Sequence, residues 1–238
     1  MTSIRIAALA IALASPAVFA GSLTGNVGVV SDYMFRGLDR SDKGAAVQGG
    51  VDYGFDNGIY SGLWVTNAAL AGGNEADIYA GYGLTLGSFK LDFGAIYYLF
   101  SEDTEQGSAP NTDYAEVYAS GAVGPVTVHL FYAPEFGLDQ GGAISGDPEK
   151  NEMLYFSASV NLPFNDTLSL VPQVGLSAGD GVKDAFGDEY LDYSLTAIKK
   201  LENDTSVSLA LVGTNLESNP ANDDNPKFVI GFKKNFKI

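Results

Sequence analysis

The side chains in this sequence that could do chemistry are mostly carboxylates, placed where polar residues alternate with apolar ones. Asp32, Arg36, Gln48, Asp52, Asp77, Lys90, Asp92, Glu116, His129, Gln173 and Asp192 share this placement. Such groups can attract cations, pair with bases or exchange protons with a substrate. Nucleophilic catalysis needs more: a hydroxyl or thiol beside a base that is itself oriented. The sequence has no cysteine and a single histidine, His129, and it carries no Gly-x-Ser-x-Gly elbow. No catalytic couple, metal site or cofactor is therefore expected. Tyr60 and Trp64 fall on the same side as the acids and could stack on a sugar-like solute, although aromatic residues at such positions more often pack or line a membrane interface.

The elements that hold these residues read as β-strands. Ile78, Ala80, Tyr82, Leu84 and Leu86 alternate with Asp77, Tyr79, Gly81, Gly83 and Thr85, and the same period of two recurs to the end. About twelve strands are expected on these signals, beginning near Ser22, Ala45, Ile59, Glu75, Phe89, Thr112, Pro125, Asn151, Thr167, Asp188, Thr205 and Lys227. Short turns alternate with long polar loops at 37–44, 68–74, 101–111, 135–150, 179–187 and 217–226. That rhythm, with strands of about ten residues, predicts an all-β fold: an antiparallel up-and-down transmembrane β-barrel with one greasy outer face. The last strand keeps its apolar row, Phe228, Ile230, Phe232, Phe236 and Ile238, to the final residue. It is expected to pair with the first strand, because an open edge cannot be left in lipid. Two residues oppose the pattern: Pro172, which calls for a bulge or kink, and Lys234, which interrupts the apolar row and could snorkel to headgroups.

Residues 1–20, with Arg5, an apolar run, Pro16 and small residues at Ala17 and Ala20, have the pattern of a secretory signal peptide, leaving one domain over 21–238. Cleavage would remove one of 13 basic residues and none of 29 acidic ones, giving 12 − 29 = −17. Such a charge repels nucleic acid and attracts cations. The acids concentrate in the long loops, whereas Lys90, Lys199, Lys200, Lys233, Lys234 and Lys237 collect at the short-turn end. Export to a bacterial outer membrane is expected. Lipid and lipopolysaccharide would surround the barrel, and the terminal strand would be read by the barrel-insertion machinery.

At "SDYMFRG", residues 31–37, followed by "AAVQGGVDYGFDNGIYSGLWVTN", residues 45–67, the chain resembles the TorF porin family of exported proteobacterial barrels. The matching positions are Ser31, Asp32, Tyr33, Phe35, Arg36, Gly37, Gln48, Gly49, Gly58, Tyr60, Gly62 and Trp64. The resemblance implies an outer-membrane channel, and it implies no cofactor. The final residue is Ile238, where such barrels commonly end in Phe.

With the apolar face outward, the acids named above point into the lumen together with Arg36 and Lys90. Paired with one another they would plug it; left open, they would favour cations weakly and let small hydrophilic solutes diffuse. Inward glycines, Gly50, Gly54, Gly81 and Gly83, are expected to leave space for a small pore, and the longest loop, 135–150, to fold inward and narrow it. Two alternatives stand beside the channel: a closed structural or adhesin-type barrel working through its acidic loops, and a barrel hydrolase. The oligomeric state and the solute are not legible.

Overall fold

The structure, a computed structural model, describes residues 21–68, 73–101, 113–136, 152–216 and 225–238. The expected signal peptide and most of the long loops at 68–74, 101–111, 135–150 and 217–226 lie outside the described residues. Alternation along the chain produces strands β1 (Ser22–Val30), β2 (Met34–Phe35), β3 (Leu38–Asp39), β4 (Ala46–Gly54), β5 (Ile59–Thr66) and β6 (Glu75–Leu86). There follow β7 (Phe89–Phe100), β8 (Tyr114–Val123), β9 (Val126–Ala133), β10 (Met153–Val160), β11 (Leu162–Pro163) and β12 (Leu168–Ala178). A helix α1 (Asp180–Phe186) precedes β13 (Tyr190–Lys200), β14 (Thr205–Thr214) and β15 (Lys227–Lys237). The helix is a correction: the segment at 179–187 reads as a polar loop in sequence.

Each long strand pairs antiparallel with its neighbours in the chain, and β1 pairs with β15 to close a cylinder of twelve strands. The closing register runs from Thr24 opposite Lys237 to Val30 opposite Gly231, and the Ile238 amide still donates to the Leu23 carbonyl at 3.0 Å. The apolar row at the terminus thus serves a strand paired on both sides. Outside, every long strand exposes large apolar groups: Val47 is 52 % exposed, Ile78 54 %, Val117 55 % and Phe228 68 %. A water-soluble monomer rarely presents a contiguous apolar patch larger than a few hundred Å². An unbroken apolar outer belt needs hydrocarbon around it.

Pro172 produces no bulge. Pairing between β10 and β12 reaches Ser159 opposite Gln173, lapses opposite Pro172, and resumes at Leu162 opposite Leu170 in the same register. On its other side Pro172 remains paired with Leu195. Lys234 turns toward the short-turn end, where its ammonium donates to the Asn203 carbonyl.

Candidate functional site: the lumen and its inward hairpin

The first long loop folds into the barrel; the longest, 135–150, lies mostly outside the described residues. At the end of β1, the Ser31 amide donates to the Ile230 carbonyl at 2.9 Å and the Ser31 hydroxyl accepts from the Ile230 amide at 3.0 Å. The chain then turns inward as the hairpin of β2 and β3, with Phe35 opposite Leu38. Arg36 and Gly37 form its two-residue turn with φ of 50° and 79°. Positive φ at both central residues suits the right-handed twist of the flanking strands, and glycine bears it without strain. A Cβ on Gly37 would collide with Thr214 and Asp192 on the wall. Tyr33 and Leu38 are each 1 % exposed, and Leu38 packs among Tyr60, Tyr79, Ile96, Tyr98 and Tyr114.

Polar contacts seat the hairpin at its tip and its base. At the tip, Arg36 donates to both carboxylate oxygens of Glu116 at 2.8 Å, and the two side chains are 6 % and 0 % exposed. The guanidinium lies 4.4 Å from the Tyr155 ring centre, 4.7 Å from Phe35 and 5.3 Å from Phe131, so ring faces cover the cation. At the base, Lys227 of β15 binds Asp32 at 3.0 Å and also Asp39. Asp39 accepts the amides of Ser41 at 2.8 Å and Lys43 at 2.9 Å. Partial burial raises the Asp39 pKa, but the hydrogen bonds from Lys227 and the two amides outweigh it and hold the carboxyl below its ordinary value. Between base and tip, the Tyr33 hydroxyl donates to Glu75 at 2.9 Å.

Tyrosines occupy much of the remaining lumen, and four on the wall are tied to acids. Tyr60 donates to Asp92 at 2.8 Å, Tyr98 to Glu116 at 3.0 Å and Tyr155 to Asp192 at 3.3 Å. Tyr79 bonds Asp52, and Tyr60 also meets the Tyr118 hydroxyl. The inward glycines are seats for these rings: Gly62 stands opposite Tyr79, Gly81 opposite Tyr60 and Gly94 opposite Tyr118. A Cβ at any of the three would strike the facing ring. This corrects the reading of inward glycine as open space, for Gly81 at least; Gly83 has nothing near its Cβ position. Tyr60, 4 % exposed with its hydroxyl engaged, is already packed where a solute would have to stack. Trp64 is half-buried and tilted 42° against Tyr33 at 5.7 Å.

Of the other residues singled out in the sequence, Asp52, Asp77, Asp92, Glu116 and Asp192 are buried and point inward, while Gln48, His129 and Gln173 are half-buried on the inner wall. Lys90 is exposed at the short-turn rim. Asp32 and Arg36 differ from expectation: they belong to the inward segment rather than the wall. His129 lies beside Phe131 at 6.1 Å, with Ser120 and Ser157 opposite it on the neighbouring strands. Among the described residues, two buried oxygens near Glu75 lack hydrogen-bond partners: Thr66 Oγ1 and Asp77 Oδ1. Sequence reasoning missed Tyr33, Leu38, Asp39, Glu75 and Lys227. One signal was present: Tyr33, Met34, Phe35 and Leu38 make an unusually apolar loop, and a solvent-facing loop has no use for such a run.

Solved barrels that resemble this one include two porins and an outer membrane channel. The KdgM porin is 12 % identical with a TM-score of 0.54, over 90 % of this chain and 99 % of that one. The NanC porin is 12 % identical with a TM-score of 0.55, over 90 % and 98 %. The COG4313 outer membrane channel from Pseudomonas putida F1 is 13 % identical with a TM-score of 0.50, over 93 % and 97 %. KdgM has also been crystallised in complex with disordered oligogalacturonate. At these identities the likeness is one of fold. No curated protein matches the sequence. A family model matches residues 14–236, and the chain belongs to that family, described as a bacterial protein of unknown function (Gcw_chp).

Proposed function

We propose that this protein is a porin-like channel of the bacterial outer membrane through which small hydrophilic solutes diffuse passively, with a weak preference for cations. The observation that carries the proposal is the closed twelve-strand cylinder, apolar outside, whose inner wall is polar and charged. The hairpin of β2 and β3 is its constriction. The preference for cations is supported by Asp32, Asp39, Glu75, Asp77, Glu116 and Asp192, which together outnumber Arg36, Arg40 and Lys227 around the hairpin. The TorF resemblance, secretion by the signal peptide, contact with lipopolysaccharide and insertion through the terminal strand all belong to this reading.

Reconstitution in planar bilayers under a salt gradient tests it. Stepwise conductance with a reversal potential of the cation-selective sign is expected; an anion-selective potential overturns the preference. A second reading, a closed barrel serving as a structural or adhesive element, is favoured by the depth at which Tyr33 and Leu38 are buried. Proteoliposomes impermeable to ions and small sugars would put it ahead. Hydrolase activity is disfavoured by the position of His129, which faces the lumen, away from lipid, beside an aromatic ring.

A further inference from the structure

The short-turn half of the lumen carries positive charge that neither the hairpin nor the tyrosines use. Lys200 on β13 stands directly opposite Ser206 on β14, and Ser206 directly opposite Lys233 on β15. Two lysines therefore flank one serine in a single row of the inner wall. Neighbouring strands lie about 4.8 Å apart, so the two lysine backbones are about 10 Å apart. Flexible four-carbon stems can bring both ammonium groups onto one ligand across that gap.

Both lysines are half-buried, and no salt bridge among the described residues includes either of them. Asp52, the acid whose charge acts on Lys233, is shared with Tyr79, from which it accepts a hydrogen bond. Lys90 adds positive charge at the same end. Space comes from small neighbours. Gly28 stands opposite Lys233 on β1, and Ser208, 7 % exposed, has a hydroxyl without a partner. A partly desolvated pair of lysines flanking a serine hydroxyl offers charged and neutral donors to an oxyanion.

We propose that Lys200, Ser206 and Lys233 bind a small oxyanion, the carboxylate or phosphate group of a hydrophilic solute, at the short-turn end of the lumen. The site rests on the reading of the lumen as a solute path and sits below the acidic constriction. A solute crossing the barrel thus meets an acidic layer and then a basic one.

The test uses the full barrel folded in detergent and inorganic phosphate as the probe, read by ³¹P line broadening. Saturable broadening is expected, with competition by acetate if the site takes any oxyanion and none if it is particular to phosphate. In the variant carrying Lys200→Gln and Lys233→Gln, affinity should fall roughly tenfold or more, the loss of a charged hydrogen bond. Lys200→Gln alone, at the end of its strand, gives the same reading should the pair fail to fold. Absence of saturable broadening, or affinity unchanged in the variants, overturns the site. Failure of the channel reading is separately visible: a barrel that binds phosphate but passes no current keeps the site and loses the channel, and one that conducts without binding does the reverse.

Discussion

Removing Arg36 should unseat the hairpin. Its partner Glu116 is fully buried, and both carboxylate oxygens accept from the same guanidinium nitrogen at 2.8 Å. Deleting one member of a buried pair strands the other without compensation, at about 3–5 kcal/mol. That is about two to four powers of ten in the ratio of seated to released hairpin. The sequence contains no cysteine, so a single Leu38→Cys substitution at a position 1 % exposed gives a clean reporter. Thiol labelling then tracks the released population when reseating is fast compared with labelling. In the Leu38→Cys background, Arg36→Ala and Glu116→Leu should each speed labelling by about a hundredfold or more, corresponding to the lower end of that range. Replacing both, with Arg36→Met and Glu116→Leu, should be much milder, because an apolar pair leaves no stranded charge. Labelling as slow in the single variants as in the parent, or as fast in the double as in the singles, refutes the latch.

Gly37→Ala should also release the hairpin, since φ of 79° and the collision with Thr214 and Asp192 both oppose a methyl group there; a left-handed residue alone costs about 1–2 kcal/mol, so the same label should react about tenfold faster. Acid should loosen the base of the hairpin. The Asp39 pKa is depressed in the fold, so its contribution is complete above the ordinary aspartate value of about 3.9 and is lost as pH falls through the lower folded value. Labelling that accelerates only below about pH 4 relative to an unfolded control carrying the same Leu38→Cys thiol at the same pH, and does so less in Lys227→Gln, is the expected profile. Tyr60→Phe removes the donor to buried Asp92 and should cost about 1–3 kcal/mol, measured as a lower urea midpoint in lipid vesicles by the fluorescence of Trp64, the sole tryptophan.

The strands were legible because lipid outside and polar groups inside impose a period of two, and a period survives without knowledge of partners. Ser22, Ile59, Glu75, Phe89, Thr205 and Lys227 begin strands as read, and the other starts differ by one or two residues. The filling of the lumen was not legible in the same way. Whether an inward glycine is a void or a seat depends on the residue directly opposite, and that is a matter of register between strands. Gly81 reads as space along its own strand; opposite it, Tyr60 fills the space and reaches Asp92 two strands away.

The same dependence explains the hairpin. Its turn chemistry is local, Arg36 followed by Gly37, but its destination is set by groups far along the chain: Glu116 at the tip and Lys227 at the base. No short-range pattern connects these positions. What the local sequence does carry is the cost of the alternative. An exposed loop presenting Tyr33, Phe35 and Leu38 to water would forgo about 1.5–3 kcal/mol for each large apolar side chain left unburied. A guanidinium at its tip enters the barrel only where a carboxylate already waits, since burying it unpaired would cost more than the apolar contacts return. The "SDYMFRG" segment and Glu116 are therefore two halves of one device, and the tyrosine-filled wall is the socket that shapes it.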